Sequence, residues 1–329
     1  QDSDPIDLAA RAVRPDPDAA AFVEARVAFV TVPWPEVRIS RDVIVVLDHS
    51  LSMAGEPLDR ARSLVHEILD GLHPGDRFEL LRFGTGVEAS FGELTFADPE
   101  AIEGARAAVD ATRPGGRSNL QAALDQTASL LADTKNGSDA VVVLITDGQP
   151  TLRAKGDAFD LDVDAARFGE ARVLIAHFNY PRRAKDLEAL LPNVTGRYVP
   201  DGPAADETIT ELARLAVAPT IEDVELEISG GGVHSVHGRL PTRLAVGEHI
   251  RVMGRLDGTA SVELRGFLHG RPVEVRAEVT VPVGPDAKGD LGLPVEWARL
   301  RIHELDTEAR GARIPAVKEM LEAQARGLA

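Results

Sequence analysis

Apolar strand-like runs and amphipathic helices alternate along the first two thirds of the chain. Asp42–Leu47 is apolar at every position after the first, and Arg77–Phe83, Ala140–Thr146 and Arg172–Phe178 are similarly rich in apolar residues. Apolar residues at helical spacing lie between these runs, for example across Leu58–Leu72. Continuous apolar strands between helices are typical of sheets covered on both faces, so the pattern predicts a doubly wound α/β fold with a mostly parallel sheet.

Shorter elements complete this α/β segment. Turn-forming glycine, proline and aspartate residues separate them and indicate where each element ends. The predicted elements are an edge strand at Glu88–Leu94, a short strand at Gly196–Val199, and helices at Pro99–Thr112, Asn119–Ala132, Ala184–Leu191 and Ala204–Ala216.

From Pro219 onward the pattern changes to a period of two residues. Val224–Ile228, His249–Met253 and Ser261–Arg265 alternate apolar and polar residues and are separated by glycines. This alternation predicts an antiparallel sheet with one face in water. Ala21–Val32 is also predicted to be a strand, and because it has no evident partner in the parallel sheet, we place it with the C-terminal strands.

The chain finishes with two predicted helices, Pro294–Leu305 and Arg313–Arg326. Their apolar stripes either dock on the rest of the protein or bind a partner, and docking is the commoner outcome. The sequence thus predicts four regions: a segment at 1–37 whose strand joins the β domain, a doubly wound domain at 38–217, an antiparallel β domain at 218–290 and helices at 291–329.

Composition narrows the classes of function. The 329 residues carry a net charge of −17, which argues against nucleic-acid binding because a basic stripe would be needed there. No apolar run is long enough to span a bilayer, so we expect a soluble chain. The absence of cysteine excludes disulfides and cysteine-bound zinc and leaves the compartment open. Our expectation for the location leans towards an extracytoplasmic one.

Oxygen-bearing side chains lie at the ends of three of the predicted elements. Asp48, Ser50 and Ser52 come directly after a buried strand, Ser118 precedes a helix, and Asp147 ends another strand. The carboxyl ends of parallel strands form the ligand-binding edge of such sheets, and carboxylates with hydroxyls suit a hard cation such as Mg²⁺. Each of these three segments alone is also typical of an ordinary turn or helix cap, since Asp and Ser side chains form hydrogen bonds with nearby backbone groups.

In order and spacing these residues resemble the metal-ion-dependent adhesion site of the von Willebrand factor type A domain. The family signature of D-x-S-x-S, then a threonine, then an aspartate corresponds to Asp48, Ser50, Ser52, Ser118 and Asp147. Two positions depart from the family, because leucine stands at Leu51 where glycine is frequent and a serine replaces the threonine. The resemblance implies a Rossmann-like sheet and a bound Mg²⁺, with Mn²⁺ or Ca²⁺ as alternatives.

This resemblance implies binding of a protein partner that presents an Asp or Glu to an open metal position. His49 and Leu51 would form the partner-contacting rim, unless Leu51 tucks under the loop and His49 is simply solvated. The sequence has no G-x-S-x-G elbow or other catalytic signature, so we expect no enzyme activity. The alternatives are a regulatory partner of an ATPase machine, as in chelatase-like type A proteins, and a metal-assisted hydrolase.

Four further motifs extend the resemblance beyond the metal signature. They resemble the inter-alpha-trypsin inhibitor heavy-chain class of type A proteins, from about Ala21 onward. The motifs are Arg41-Asp42-Val43, Pro74-Gly75-Asp76-Arg77-Phe78, Gly247-Glu248-His249 and Trp297-Ala298-Arg299.

Overall fold

The structure is a computed structural model in two compact units. It describes residues 6–15, 20–29, 40–134, 139–148, 161, 163–178, 194–238, 242–268, 270–281, 292–311 and 315–328. One unit is Glu36–Pro219, and the other combines Gln1–Pro35 with Thr220–Ala329.

The strands and helices are numbered in chain order. The strands are β1 (Ile6–Val13), β2 (Ala21–Phe29), β3 (Arg41–Asp48), β4 (Arg77–Phe83), β5 (Val87–Ala89), β6 (Thr95–Phe96), β7 (Asp139–Thr146), β8 (Arg172–His177), β9 (Val194–Tyr198), β10 (Thr220–Gly230), β11 (His234–His237), β12 (Arg243–Ala245), β13 (His249–Leu256), β14 (Ala260–Leu268) and β15 (Arg271–Val279). The helices are α1 (Glu56–Gly71), α2 (Pro99–Ala111), α3 (Leu120–Leu131), α4 (Ala204–Ala216), α5 (Gly292–Gly311) and α6 (Pro315–Leu328). Single 3-10 turns occur at Leu51–Met53 and Ala165–Phe168.

The 36–219 unit is built on a mostly parallel sheet with the strand order β5-β4-β3-β7-β8-β9. Strands β3, β4, β7, β8 and β9 run parallel, while β5 and β6 pair with β4 in the antiparallel sense. One hydrophobic cluster packs α3 on this sheet, with Leu120 and Leu124 of the helix beside Ile44 and Val46 of β3. The predicted helix at Ala184–Leu191 lies outside the described residues.

The predicted edge strand at Glu88–Leu94 is wrong in extent, because β5 ends at Ala89 and β6 begins only at Thr95. The buried carboxylate of Glu79 accepts hydrogen bonds from the backbone N–H groups of the intervening residues 90–92. These donors are therefore used by a side chain rather than by a neighbouring strand.

The second unit contains two four-stranded antiparallel sheets, ordered β1-β2-β13-β11 and β12-β10-β14-β15. Hydrophobic clusters contain residues of both sheets, for example Val27 and Ile250 of the first with Ile221 and Leu264 of the second. In this unit β2 pairs with β13 from Ala21 to Ala28, so this strand near the start of the chain lies beside one from its last third.

Strand β1 was not predicted from the sequence. It pairs with β2 and buries Ile6 at one end and Val13 at the other. Three of its eight residues are alanine, which is small and disfavoured in strands, so its alternation of apolar and polar side chains is weak.

The C-terminal helices pack against each other and α5 also lies on the sheet of β2. Leu305 of α5 and Leu321 of α6 share a small apolar cluster. The ring of Trp297 meets that of Phe22 edge to face at 5.6 Å, and its Nε1 donates to the Ser235 carbonyl at 3.1 Å. No helix among the described residues is long and apolar enough to cross a membrane.

Candidate metal centre

The predicted ligand residues lie at the carboxyl edge of the parallel sheet. Asp48 is the last residue of β3 and Asp147 follows β7, and these strands are neighbours with Leu47 opposite Ile145. Ser118 directly precedes Asn119, whose side chain caps α3 by accepting from the Ala122 N–H. The sheet topology therefore brings residues from three separate segments to one place.

Asp48 is the centre of the hydrogen bonds at this edge. Its Oδ1 accepts from the Ser50 N–H at 2.8 Å, and its Oδ2 accepts from the Ser118 hydroxyl at 3.3 Å. The hydroxyls of Ser50 and Ser52 lie 3.2 Å apart. Asp48, Ser50, Ser118 and Asp147 are buried whereas Ser52 is exposed, so the cluster opens towards solvent on the side of Ser52.

Thr146 also belongs to this group of hydrogen-bonded side chains, although it was not predicted as a site residue from the sequence. Its hydroxyl donates to Asp48 Oδ2 at 2.7 Å and accepts from the Gly148 N–H at 3.0 Å. This threonine therefore orients the central carboxylate from the neighbouring strand. The signal that could have revealed it is its place as the last residue of β7, level with Asp48 in the strand register.

The electrostatics of the cluster favour a cation. Burial raises the pKa of Asp48 to about 6, hydrogen bonds from Ser50 and Thr146 oppose this rise, and the charge of Asp147 adds to it. Burial and a neighbouring negative charge thus both disfavour the ionised form of Asp48, and a bound cation would relieve both effects. Among the described residues no group of three or more Asp, Glu or His side chains could hold a metal, so a cation here depends on the serine hydroxyls as well. Carboxylates plus hydroxyls are the donor set that suits a hard divalent ion.

Backbone hydrogen bonds lock the loops that carry these side chains. The Leu51 N–H donates to the Gly116 carbonyl at 3.2 Å, and the Gly115 N–H donates to the His49 carbonyl at 2.8 Å. Gly116 has φ +72°, and a Cβ there would lie 2.5 Å from Thr85 Oγ1. Glycine is therefore required for this close approach, which holds the Ser118 loop against the turn after β4.

The two predicted rim residues differ in their surroundings. Leu51 is 66% exposed, so it does not tuck under the loop. His49 is half-buried, with its Nδ1 3.2 Å from the Arg113 carbonyl oxygen and its ring against Gly84, where a Cβ would lie 2.9 Å from His49 Cε1. His49 is therefore held between loops rather than simply solvated. Contact of either residue with a partner stays a prediction.

Comparison with known proteins settles the family of this unit. Residues 43–149 match the family model of the von Willebrand factor type A domain. The chain contains a von Willebrand factor type A domain. The predicted resemblance to this family is therefore confirmed, and the matched range contains all five predicted ligand residues.

Curated relatives of this chain include inter-alpha-trypsin inhibitor heavy chains. Heavy chain H1 of Bos taurus is 31% identical over 120 residues, which is 35% of this chain and 13% of the relative. Heavy chain H4 of Bos taurus is 24% identical over 313 residues, which is 88% of this chain and 34% of the relative. The chain thus spans about a third or less of the length of these relatives, and the predicted resemblance to the heavy chains is confirmed.

Solved structures confirm the predicted fold class. A von Willebrand factor type A protein from Catenulispora acidiphila has a TM-score of 0.61 at 16% identity and covers 99% of this chain and 88% of its own. The ArnB paralog VWA2 from Sulfolobus acidocaldarius has a TM-score of 0.52 at 13% identity, and the match covers 98% of this chain and 87% of the paralog. At these identities the likeness concerns the fold alone.

Proposed function

We propose that this type A protein is a divalent-metal-dependent protein-binding module. The observation that carries the proposal is the convergence of two buried carboxylates and three serine hydroxyls at one edge of the sheet. The relation to type A domains and to the heavy chains supports protein binding as the broad function.

The residues that would hold the ion are Asp48, Ser50, Ser52, Ser118 and Asp147. Mg²⁺ is the proposed ion, with Mn²⁺ and Ca²⁺ as alternatives, because every donor is a hard oxygen. When bound, the ion supplies positive charge that attracts a carboxylate from another molecule. Thr146 would keep Asp48 in position through its 2.7 Å hydrogen bond.

The proposed partner presents an Asp or Glu side chain on the solvent side of the site. Ser52 and Leu51 are exposed there, so a ligand position on this side faces water rather than the protein interior. Leu51 would add an apolar contact, and His49 would set the position of the loop behind it. We propose binding rather than catalysis, because the sequence carries no G-x-S-x-G elbow or other catalytic signature.

Affinity capture with and without a chelator tests this function. The purified protein is immobilised and exposed to an extract of the source organism in Mg²⁺ buffer and in EDTA. We expect specific proteins to be retained in Mg²⁺ only, and to be lost with Asp147→Ala. Asp206→Ala, at an exposed position of α4, is the matched control and should retain them. Retention that is indifferent to both EDTA and Asp147→Ala would contradict a metal-dependent interaction.

A further inference from the structure

A buried histidine on β8 continues the row of side chains that forms the metal centre. His177 is the last residue of β8 and lies directly opposite Thr146, the last residue of β7. Thr146 is in turn the residue whose hydroxyl bonds Asp48 at the end of β3. The Phe178 N–H donates to the Thr146 carbonyl at 3.1 Å, so the ends of β7 and β8 are held side by side.

The side chains of Asp48, Thr146 and His177 lie on the same face of the sheet. Residues two apart in a strand point to the same face, and residues opposite each other on neighbouring strands share it. On all three strands, the residues two and four positions earlier belong to the hydrophobic cluster that packs α3 on the sheet. They are Ile44, Val46, Val142, Leu144, Val173 and Ile175. His177 therefore points to the side of the sheet on which Thr146 and Asp48 meet.

His177 is buried without a hydrogen bond from its ring. The residue is fully buried, and among the described residues neither Nδ1 nor Nε2 has a hydrogen-bond partner. Burial lowers the pKa of His177 to about 4, so at neutral pH the ring is uncharged and has one N–H donor and one acceptor nitrogen. Buried polar atoms are almost always hydrogen-bonded, because leaving them unpaired is unfavourable. A further valine or isoleucine would continue the apolar pattern of β8 without this penalty, so packing alone does not account for a histidine here.

The hydroxyl of Thr146 can accept one more hydrogen bond. A hydroxyl has one donor and two acceptor positions. Thr146 Oγ1 donates to Asp48 Oδ2 at 2.7 Å and accepts from the Gly148 N–H at 3.0 Å, and no third group among the described residues bonds it. A donor arriving from the side of His177 would fill the second acceptor position. It would also polarise the hydroxyl and so strengthen the hydrogen bond to Asp48.

We propose that His177 is a positioning residue of the metal centre, which supports Thr146, and through it Asp48, by way of one buried water. The ring and the hydroxyl lie on neighbouring strands, which are about 4.8 Å apart, and no direct hydrogen bond joins them. A single water can span such a gap, and buried waters typically bond polar groups that otherwise lack partners. This water would donate to Thr146 Oγ1 and bond one ring nitrogen of His177. The inference rests on the proposed function, since it concerns the affinity of the same metal site.

Titration calorimetry of Mg²⁺ with the full chain tests this role. His177→Phe keeps a ring and removes both nitrogens, and we expect it to bind Mg²⁺ roughly tenfold more weakly than the wild type, the lower end of the loss for groups that orient metal ligands. His177→Gln keeps a donor and an acceptor and should restore most of the affinity. Ile175→Val alters packing on the same face of the same strand, and this matched control should bind Mg²⁺ as the wild type does.

A double-mutant cycle tests whether His177 acts through Thr146. Thr146→Val removes the hydroxyl and keeps the shape of the side chain. In the Thr146→Val background, His177→Phe should cause no further loss of Mg²⁺ affinity, because the link between the two residues is already broken.

Nuclear magnetic resonance of the His177 ring nitrogens in EDTA tests the same link without a metal. Thr146→Val should shift their ¹⁵N resonances, because it removes the oxygen that the water joins to the ring. His177 stays in place in this measurement, so it decides the question even if His177→Phe does not fold.

The outcomes separate this inference from the proposed function. Equal Mg²⁺ affinity of wild type and His177→Phe, or equal weakening by Ile175→Val, would overturn the role of His177 and leave the metal site standing. Independent, additive losses from His177→Phe and Thr146→Val, or ring resonances that Thr146→Val leaves unchanged, would overturn the route through Thr146. Absence of Mg²⁺ binding by the wild type would contradict the proposed function, and the role of His177 with it.

Discussion

The two buried carboxylates of this protein, Asp48 in the type A domain and Glu24 in the β unit, have opposite surroundings. Asp48 is bonded by neutral groups and lies near Asp147, and its pKa is raised to about 6, mainly by burial. Glu24 is equally buried but is bonded by Arg11, Arg26 and Arg251, and these arginines lower its pKa although burial alone would raise it. Burial alone therefore does not decide how a carboxylate behaves: neutral hydrogen-bond donors and a second carboxylate surround Asp48, whereas arginines stabilise the negative charge of Glu24.

The largest effect is expected from removing the carboxylate of Glu24. Glu24→Gln would leave three arginines without their common counter-charge, and breaking a buried ion pair on one side costs about 3–5 kcal/mol. Urea denaturation of this variant should show that loss in the free energy of unfolding. Glu278→Gln, at an exposed site on β15, is the control and should change stability little. A loss below about 1 kcal/mol for Glu24→Gln would mean that the arginines find other partners.

The equivalent change at Asp48 should raise the free energy of unfolding rather than lower it. In EDTA at neutral pH, Asp48→Asn should raise the free energy of unfolding by about 1–3 kcal/mol, because it removes a buried charge beside Asp147. The folded-state pKa of about 6 lies above the ordinary value of 3.8, so the folded chain binds more protons between these values. Wild-type stability due to this group is therefore present at low pH and is lost as the pH rises to about 6.

Urea denaturation of wild type and Asp48→Asn over this pH range, in EDTA, measures the effect. The difference between the two proteins should grow from about pH 4 to about pH 6 and then stay constant. Asp206→Asn, at an exposed position of α4, should give no such trend. Equal stability of wild type and Asp48→Asn at neutral pH would contradict the electrostatic difference between the two sites.

A smaller effect is expected at Ser118, the serine that stands where the family signature has a threonine. Ser118→Ala removes one proposed ligand and its hydrogen bond to Asp48, so Mg²⁺ affinity should fall roughly tenfold. Ser118→Thr keeps the hydroxyl and should bind nearly as the wild type does. Titration calorimetry measures the Mg²⁺ affinity of the three proteins. Equal affinity of Ser118→Ala and wild type would exclude the Ser118 hydroxyl from the metal ligands.

The sequence predicted the features that depend on local pattern. The apolar run before Asp48 and that before Asp147 identified two strand ends, and parallel topology then brought both carboxylates to one edge. Thr146 was missed because it contacts Asp48 only when their two strands pair in the observed register, and these strands are far apart in sequence. The ion pairs of Glu24 were missed for the same reason, since Arg251 reaches Glu24 only when β13 pairs with β2.

The most direct test of the central claim is calorimetric titration of Mg²⁺ and Mn²⁺ into the wild type and the Asp48→Ala/Asp147→Ala double variant. Asp206→Ala/Glu207→Ala removes the same number of carboxylates from the exposed first turn of α4 and serves as the control. The account predicts one saturable site in the wild type and in the control, and none in the Asp48→Ala/Asp147→Ala protein. Equal binding by all three proteins would contradict a metal centre at the carboxyl edge of the type A sheet.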